Sequence, residues 1–299
     1  MRYSYLHPFA PQYFFQQECK KYSIFKSFYQ PYTIPGAVTW WLLKNFKVYR
    51  FVFSKSDIEK YVPENHIRKI LGADSIIAFN AGSPGPEQKI TVIAIQNGNP
   101  VFLKYARTET AINLVENEYL VLLSLKDSNL SPGVIDHIAG DGFSCLKTEM
   151  LNGVRLSEKY LSSSLFKIIE NISSFNVTCS YSKPTKLKKS FAHGDFCPWN
   201  LMNVDGTIKV FDWEMAGVYP LGYDLFTFIF QTSFLLYPGI RIEEIIRRNH
   251  IYITSFFDCV DWKPYLAEFA TIKLDVESRK NNKRLVPHYK RLSIYAEKT

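Results

Sequence analysis

The pattern of apolar and polar positions predicts a small antiparallel sheet in the first half of the chain. Three short runs rich in β-branched and aromatic residues cover residues 75–79, 90–95 and 101–105. Turn-forming residues separate them, at 80–87 between the first two and at 97–100 between the last two. Because short connections favour antiparallel neighbours, the pattern predicts a three-stranded meander.

A helix is predicted after the meander, over residues 110–125, because apolar residues there recur at helical spacing. Glu118 lies in the middle of the apolar stripe, where a carboxylate is costly unless it has a partner. Two interpretations stay open: Glu118 reaches water at an edge of the stripe, or it is buried against a cation. The stripe itself consists of Ala111, Leu114, Val115, Leu122 and Leu125.

The remaining patterning is mainly helical. A short helix is predicted over residues 63–71, with proline at its start and glycine after its end. After residue 153 the chain turns largely helical, and the apolar run 225–237 is typical of a buried helix that is too short to span a membrane.

Composition excludes several classes of protein. With 299 residues, 46% apolar and 16% aromatic, the chain has ample material for a core, unlike disordered, collagen-like or low-complexity sequences. The five cysteines form no C-x-x-C pair, which argues against a disulfide framework or a cysteine zinc site and is typical of a reducing compartment. The first residues lack the apolar core of a secretory signal, so we expect a cytoplasmic protein.

The net charge of +8 is concentrated near the N-terminus. Residues 1–70 contain eleven Lys and Arg against four Asp and Glu, and bulky aromatics are interleaved with the bases. Three interpretations follow: a basic face of a subdomain packed on the core, peripheral membrane contact through residues 1–55, or nucleic-acid contact, which we favour least.

A hairpin in the second half carries the most informative residues. Asp205-Gly206 is a two-residue turn signal between two short apolar strands. Pairing across that turn places Asn200 opposite Phe211, so Asn200 and Asp212 emerge at the same end of the hairpin.

A further carboxylate, Asp195, lies five positions before Asn200 on the connecting loop. Amide and carboxylate oxygens suit a magnesium ion that bridges phosphates, and a nearby carboxylate can accept the proton of an attacking hydroxyl. The spacing of Asp195, Asn200 and Asp212 therefore indicates phosphoryl-transfer chemistry.

The order of these residues resembles the aminoglycoside phosphotransferase and choline kinase-like superfamily. His-Gly-Asp at 193–195, then Pro198 and Asn200, an Asp-Gly hairpin, and Asp-Trp-Glu at 212–214 carry the resemblance. It extends from about residue 74 to about residue 230.

The resemblance implies a two-lobed, protein-kinase-like α+β fold. A nucleotide-binding N-lobe with a mixed antiparallel sheet is expected over residues 56–150, and a mainly helical, catalytic and acceptor-binding C-lobe over 151–299. Residues 1–55 form a basic, aromatic N-terminal extension in this scheme.

The resemblance also implies roles for single residues. Asp195 matches the catalytic aspartate, and Asn200 and Asp212 match the two magnesium ligands. Lys104, on the third strand of the meander, matches the lysine that holds the nucleotide phosphates, and Glu118 matches the acidic residue that pairs with it.

The other nucleotide contacts are implied in the same way. Gly82, Ser83 and Gly85 stand in the place of the loop that covers the phosphates. Glu149 and Leu151 stand at the hinge, where backbone groups bind the adenine edge. His193 and Asp224 match family residues that support the catalytic loop structurally.

The implied function is ATP- and Mg²⁺-dependent phosphorylation of a hydroxyl on a small molecule or a glycan, such as a sugar, a lipid-linked sugar or a polyol. An aminoglycoside acceptor is disfavoured because residues 240–299 contain twelve Lys and Arg against eight Asp and Glu, whereas a polycation binds best in an acidic cleft. The alternative is a catalytically silent kinase-like binding protein at a membrane surface. The presence of Lys104, Asp195, Asn200 and Asp212 together argues against that alternative.

Overall fold

A computed structural model describes residues 2–6, 12–28, 38, 52–54 and 58–298. The chain divides into two compact units, residues 1–153 and 154–299. In the described part of the chain, no helix is both long and apolar enough to cross a bilayer. Residues 39–51, which include several of the N-terminal bases and tryptophans, lie outside the described residues. Membrane contact through this segment therefore stays a prediction.

The first unit is built on one antiparallel sheet whose described strands number eight, in the order β3-β1-β2-β4-β5-β6-β8-β7. The sheet is accompanied by helices α1 (Glu64–Leu71) and α2 (Glu109–Ser124). The strands are β1 (Arg2–Leu6), β2 (Tyr13–Gln16), β3 (Val52–Ser54), β4 (Ile76–Asn80), β5 (Lys89–Gln96), β6 (Asn99–Ala106), β7 (Val134–Gly140) and β8 (Phe143–Glu149).

The predicted meander is confirmed as β4, β5 and β6. Gln96 pairs with Asn99, so Asn97 and Gly98 form a two-residue turn in which both have positive φ, 51° and 81°. Asparagine and glycine are the residues that tolerate this backbone, which is why the local sequence determines the turn. Both predicted helices, α1 and α2, are also confirmed, with Gly72 following the end of α1.

The described strands of the predicted N-terminal extension belong to this sheet. β2 pairs with β4, and Tyr3 and Phe14 are fully buried in the same apolar cluster as Phe79 and Val92. Burial alternates along β2, with Phe14 and Gln16 buried and Tyr13 and Phe15 half-buried. Three interpretations of residues 1–70 were open, and the described strands agree with packing on the core.

The second unit is mainly helical. The apolar run predicted as a buried helix is confirmed as α4, which joins Tyr223–Phe226, a π-helical turn over Thr227–Gln231, and Thr232–Leu236. The other elements are β9 (Val154–Arg155), α3 (Ser163–Ser174), β10 (Lys189–Ala192), β11 (Leu201–Val204), β12 (Thr207–Val210), β13 (Gly217–Pro220), α5 (Ile242–Phe257), α6 (Lys263–Arg279) and α7 (Val286–Lys298). Strands β10 and β13 form one small sheet, and a second small sheet has the strand order β12-β11-β9.

Candidate active site

The hairpin of β11 and β12 has the register that its turn predicts. Leu201 pairs with Val210, and the turn residues Asp205 and Gly206 have φ of 49° and 84°. The next backbone hydrogen bond runs from the N–H of Phe211 to the carbonyl of residue 200, at 3.1 Å. Residues 200 and 212 therefore lie at the same end of the hairpin, as predicted.

Asp212 follows the hairpin in the left-handed backbone region, with φ 70° and ψ 52°. The next residue, Trp213, is fully buried, and its indole Nε1 donates to the carbonyl of Val210 at 2.8 Å. This anchor holds the backbone on both sides of Asp212, whose side chain is half-buried. The position of the carboxylate is thus set by the hairpin and by one tryptophan.

The Asp195 carboxylate is held at both oxygens by neutral amides. Asn200 donates from Nδ2 to Asp195 Oδ2 at 3.0 Å and to the Asp195 carbonyl at 2.9 Å, and Gln231 Nε2 donates to Oδ1 at 2.7 Å. Because Nδ2 makes these bonds, the other amide atom of Asn200, Oδ1, is an oxygen of the kind that Mg²⁺ binds. Asp212 offers a carboxylate at the same end of the hairpin, so the chemistry of the two donors fits Mg²⁺. Magnesium binding by Asn200 and Asp212 stays a prediction.

Asp224 braces the loop that carries Asp195. Its carboxylate accepts from the N–H of His193 at 2.6 Å and of Gly194 at 3.0 Å. Burial raises the pKa of Asp224, and the two N–H groups oppose that rise. His193 Nε2 lies 3.0 Å from the Phe211 carbonyl, which can only accept, so Nδ1 accepts from the Asp195 N–H at 3.2 Å. His193 and Asp224 therefore have the structural role expected of them.

In the first unit, Lys104 on β6 and Glu118 on α2 form a buried ion pair. Nζ lies 2.5 Å from Oε2, and the two residues are only 7% and 3% exposed. Of the two interpretations of Glu118, burial against a cation is therefore correct. Binding of phosphate by Lys104 stays a prediction.

The loop predicted to cover the phosphates requires glycine at one position. Gly82 has φ 71°, and a Cβ there would lie 2.3 Å from the Lys89 carbonyl oxygen. Its N–H donates to Asn80 Oδ1 at 3.0 Å, while Ser83 and Gly85 are exposed. Contacts of Gly82, Ser83 and Gly85 with a nucleotide stay a prediction.

The predicted hinge begins at the end of β8. The N–H of Glu149 donates to the Gly133 carbonyl at 2.9 Å, and its carboxylate accepts from the Gly133 N–H at 3.2 Å. The side chain of Glu149 is thereby occupied within the unit, which is compatible with a role through its backbone. Adenine binding by Glu149 and by Leu151 stays a prediction.

Comparisons with known proteins agree with this architecture. The phosphotransferase enzyme family matches residues 155–253, the segment that contains the hairpin and its loop. Amicoumacin kinase hAmiN, solved with AMP-PNP, Ca²⁺ and Ami, is 13% identical with a TM-score of 0.53, covering 81% of this chain and 96% of that one. Aminoglycoside phosphotransferase APH(4)-Ia is 12% identical with a TM-score of 0.51, covering 79% and 97%.

A thermostable mutant of APH(4)-Ia, solved as a ternary complex with ADP and hygromycin B, is 13% identical with a TM-score of 0.51, covering 78% of this chain and 97% of that one. No curated protein sequence matches the chain. The resemblance to the aminoglycoside phosphotransferase and choline kinase-like superfamily is confirmed. The predicted kinase-like α+β fold of this superfamily is confirmed as well.

Within this superfamily fold, our sequence analysis missed two residues beside Asp195. Gln231 contacts the Asp195 carboxylate, and Lys273 Nζ donates to Gln231 Oε1 at 3.0 Å. Lys273 follows the buried Leu266 by seven positions on α6, so it is a charged residue in an apolar helix stripe. A charged residue within an apolar helix stripe is the signal that identified Glu118, and the same signal could have identified Lys273.

Proposed function

We propose that the protein is an ATP-dependent phosphotransferase that acts on a hydroxyl of a small molecule or glycan. The observation that carries this proposal is the position of the Asp195 carboxylate. It lies on the loop that Asp224 braces, and it accepts hydrogen bonds from two neutral amides, Gln231 at 2.7 Å and Asn200 at 3.0 Å. Neutral donors orient the carboxylate and leave its negative charge to attract a proton. The phosphotransferase family match over residues 155–253 supports the same conclusion.

In the proposed reaction, the acceptor oxygen forms a bond to the γ-phosphorus while the bond between that phosphorus and ADP breaks. Asp195 orients the acceptor hydroxyl and takes its proton. Asn200 and Asp212 would hold magnesium, which would supply positive charge to neutralise the phosphates. Lys104, positioned by Glu118, donates to the phosphates. Catalysis then consists mainly of positioning and charge stabilisation.

Solved structures of similar fold support the choice of cofactor. Amicoumacin kinase hAmiN was solved with AMP-PNP and Ca²⁺, and the APH(4)-Ia mutant with ADP and hygromycin B. We therefore propose ATP with Mg²⁺ as the cofactors of this chain. The net positive charge of residues 240–299 favours a sugar, a lipid-linked sugar or a polyol over a polycationic acceptor. A screen of such acceptors for ATP consumption would identify the substrate class.

The replacement Asp195→Asn tests the proposed function. It removes the proton acceptor, while the hydrogen bonds from the loop to Asp224 remain. Phosphotransfer should therefore fall by about 10²- to 10⁴-fold. Affinity for Mg-ATP, measured by calorimetry, should be retained. Near-normal phosphotransfer by the variant would show that Asp195 is not the base. A wild-type chain that consumes no ATP with any acceptor would instead favour the silent binding protein.

A further inference from the structure

We infer that Gln231, oriented by Lys273 and Tyr289, is a positioning residue that holds the Asp195 carboxylate for proton acceptance. The inference rests on the proposed function of Asp195 and adds to it a second support besides Asn200. Gln231 lies on α4, Lys273 on α6 and Tyr289 on α7, so three helices of the second unit meet at the Gln231 amide, which contacts the carboxylate.

The orientation of the Gln231 amide is determined by its partners. Lys273 Nζ, which can only donate, lies 3.0 Å from Oε1, and the hydroxyl of Tyr289 donates to the same oxygen at 3.1 Å. The amide nitrogen must therefore point the other way, and it donates to Asp195 Oδ1 at 2.7 Å. A flipped amide would face an ammonium with its NH₂ group and a carboxylate with its oxygen, which is unfavourable on both sides.

The cost of burying Lys273 indicates that it does more than fill space. Lys273 is 4% exposed, and its contacts are neutral: Gln231 Oε1, the Gly194 carbonyl at 3.3 Å and the Tyr223 ring at 5.4 Å. Among residues 58–298 it forms no ion pair with a carboxylate. Its charge also acts on the buried Asp224 carboxylate, where it opposes the rise in pKa that burial causes. Burying an ammonium is costly, and an apolar side chain would occupy the same space at a lower cost.

The backbone at Gln231 is an independent observation. Gln231 ends the π-helical turn Thr227–Gln231, and the helical segments before and after it are α-helical. Such turns are rare and occur frequently at functional sites, since the wider turn changes where the following side chains point. Here the turn lies where α4 meets the catalytic loop.

The two supports together fix the plane of the Asp195 carboxylate. Asn200 holds Oδ2, and Gln231 holds Oδ1. Loss of one support allows the carboxylate to rotate, and misplacement of a reacting group by about 1 Å can cost about 10²-fold in rate. The loss should appear in kcat and not in the KM for ATP, because Gln231 contacts the base and not the predicted nucleotide residues.

The test compares three full-length variants with the wild type. Phosphate transfer from Mg-ATP is measured with water as the acceptor and with any acceptor found in the screen. Gln231→Leu should lower kcat about 10²-fold with an unchanged KM for ATP. Gln231→Glu keeps the shape and pairs with Lys273, but it replaces the donor to Asp195 Oδ1 with a like charge. The two effects on stability oppose each other, so its melting temperature should stay near that of the wild type while its kcat falls similarly. Thr227→Val is the matched control, a buried change on the same helix at a hydroxyl without a partner, and should behave as the wild type.

The Glu variant separates positioning from packing. If Gln231 does not hold the Asp195 carboxylate, Gln231→Glu should keep wild-type kcat, and that result would overturn the inference. If Gln231→Leu melts below the assay temperature, Gln231→Glu alone decides.

A crystal structure of Gln231→Glu provides a readout that does not depend on activity. We expect the Asp195 carboxylate to rotate away from residue 231, and an unrotated carboxylate would contradict the positioning role. If the wild type consumes no ATP, the proposed function fails, while the crystal structure still decides whether Gln231 positions Asp195.

Discussion

Two charged residues on apolar helix stripes carry most of the information at the scale of single side chains. Glu118 on α2 is paired with Lys104 at 2.5 Å, whereas the hydrogen bonds of Lys273 on α6 go to neutral oxygens. In both cases the burial of charge is costly, so the stripe by itself indicates a functional position. The role of each charged residue depends on its partner. Glu118 fixes the position of Lys104 through an ion pair, and the Lys273 ammonium orients the Gln231 amide.

Asp212→Asn tests the proposed metal ligand at this scale. Asparagine tolerates the left-handed backbone that Asp212 adopts, so the fold should survive. The variant should lose most of its magnesium-dependent affinity for ATP, because one anionic ligand is removed. Calorimetric titration with Mg-ATP beside a melting curve measures both effects.

Asp205→Asn is the matched control for that variant. Asp205 has φ 49°, lies in the same hairpin and is exposed at the turn end. The Asp205→Asn variant should bind Mg-ATP with the affinity of the wild type. Equal nucleotide affinity in the Asp212 variant would place the metal ligands elsewhere.

At the scale of elements, the hairpin and the loop before it are shaped by different forces. The hairpin register follows from two turn residues with positive φ, a local property. The loop at residues 193–195 depends on contacts with residues distant in sequence. Asp224 accepts hydrogen bonds from two N–H groups of the loop, and Gly194 lies against the Met215 carbonyl. Glycine is therefore required in the loop by close packing as well as by its positive φ, and in the hairpin turn by its positive φ alone.

A pair of glycine substitutions separates these reasons. Gly194 and Gly206 both have φ of 84°, but a Cβ on Gly194 would lie 2.2 Å from the Met215 oxygen, whereas Gly206 has open space. Gly206→Ala should cost only the backbone strain, roughly 1–2 kcal/mol. Gly194→Ala should cost clearly more and should also abolish phosphotransfer. Urea unfolding of both variants measures the difference, and equal losses of stability would contradict the packing argument.

At the scale of the whole molecule, strands from the N-terminal segment complete the sheet of the first unit. Tyr3 on β1 donates to Glu64 Oε1 at 2.8 Å and accepts from Arg68 Nη2 at 2.8 Å, and both partners lie on α1. Burial raises the pKa of Tyr3, so its hydroxyl stays protonated and keeps donating. The first strand is thus fastened to a helix 61 residues later in the chain.

Tyr3→Phe should therefore destabilise the protein although it removes one oxygen. Glu64 and Arg68 are buried and would each lose a hydrogen bond, at a cost of about 1–3 kcal/mol. Tyr22→Phe, an exposed change on the same segment, should stay within about 0.5 kcal/mol of the wild type. Urea unfolding checks both variants, and equal stability of Tyr3→Phe and wild type would mean that β1 contributes little to the unit.

Local sequence alone determined several elements of this protein and the register of its hairpin. Strands β4 to β6, helix α2 and the register of β11 with β12 follow from periodicity and turn residues, because these depend on neighbours a few positions apart. The hairpin register in turn predicted that Asn200 and Asp212 share one end, and the order of motifs indicated the superfamily.

Only the tertiary structure decided which distant side chains meet. Gln231 lies 36 positions from Asp195, and Lys273 lies 42 positions from Gln231, so their contacts depend on how α4 and α6 pack. The pairing of β2 with β4 likewise joins strands that are far apart in the chain. Periodicity marks a buried position on each element, but the partner across the core is set by packing of the elements, which no local pattern encodes.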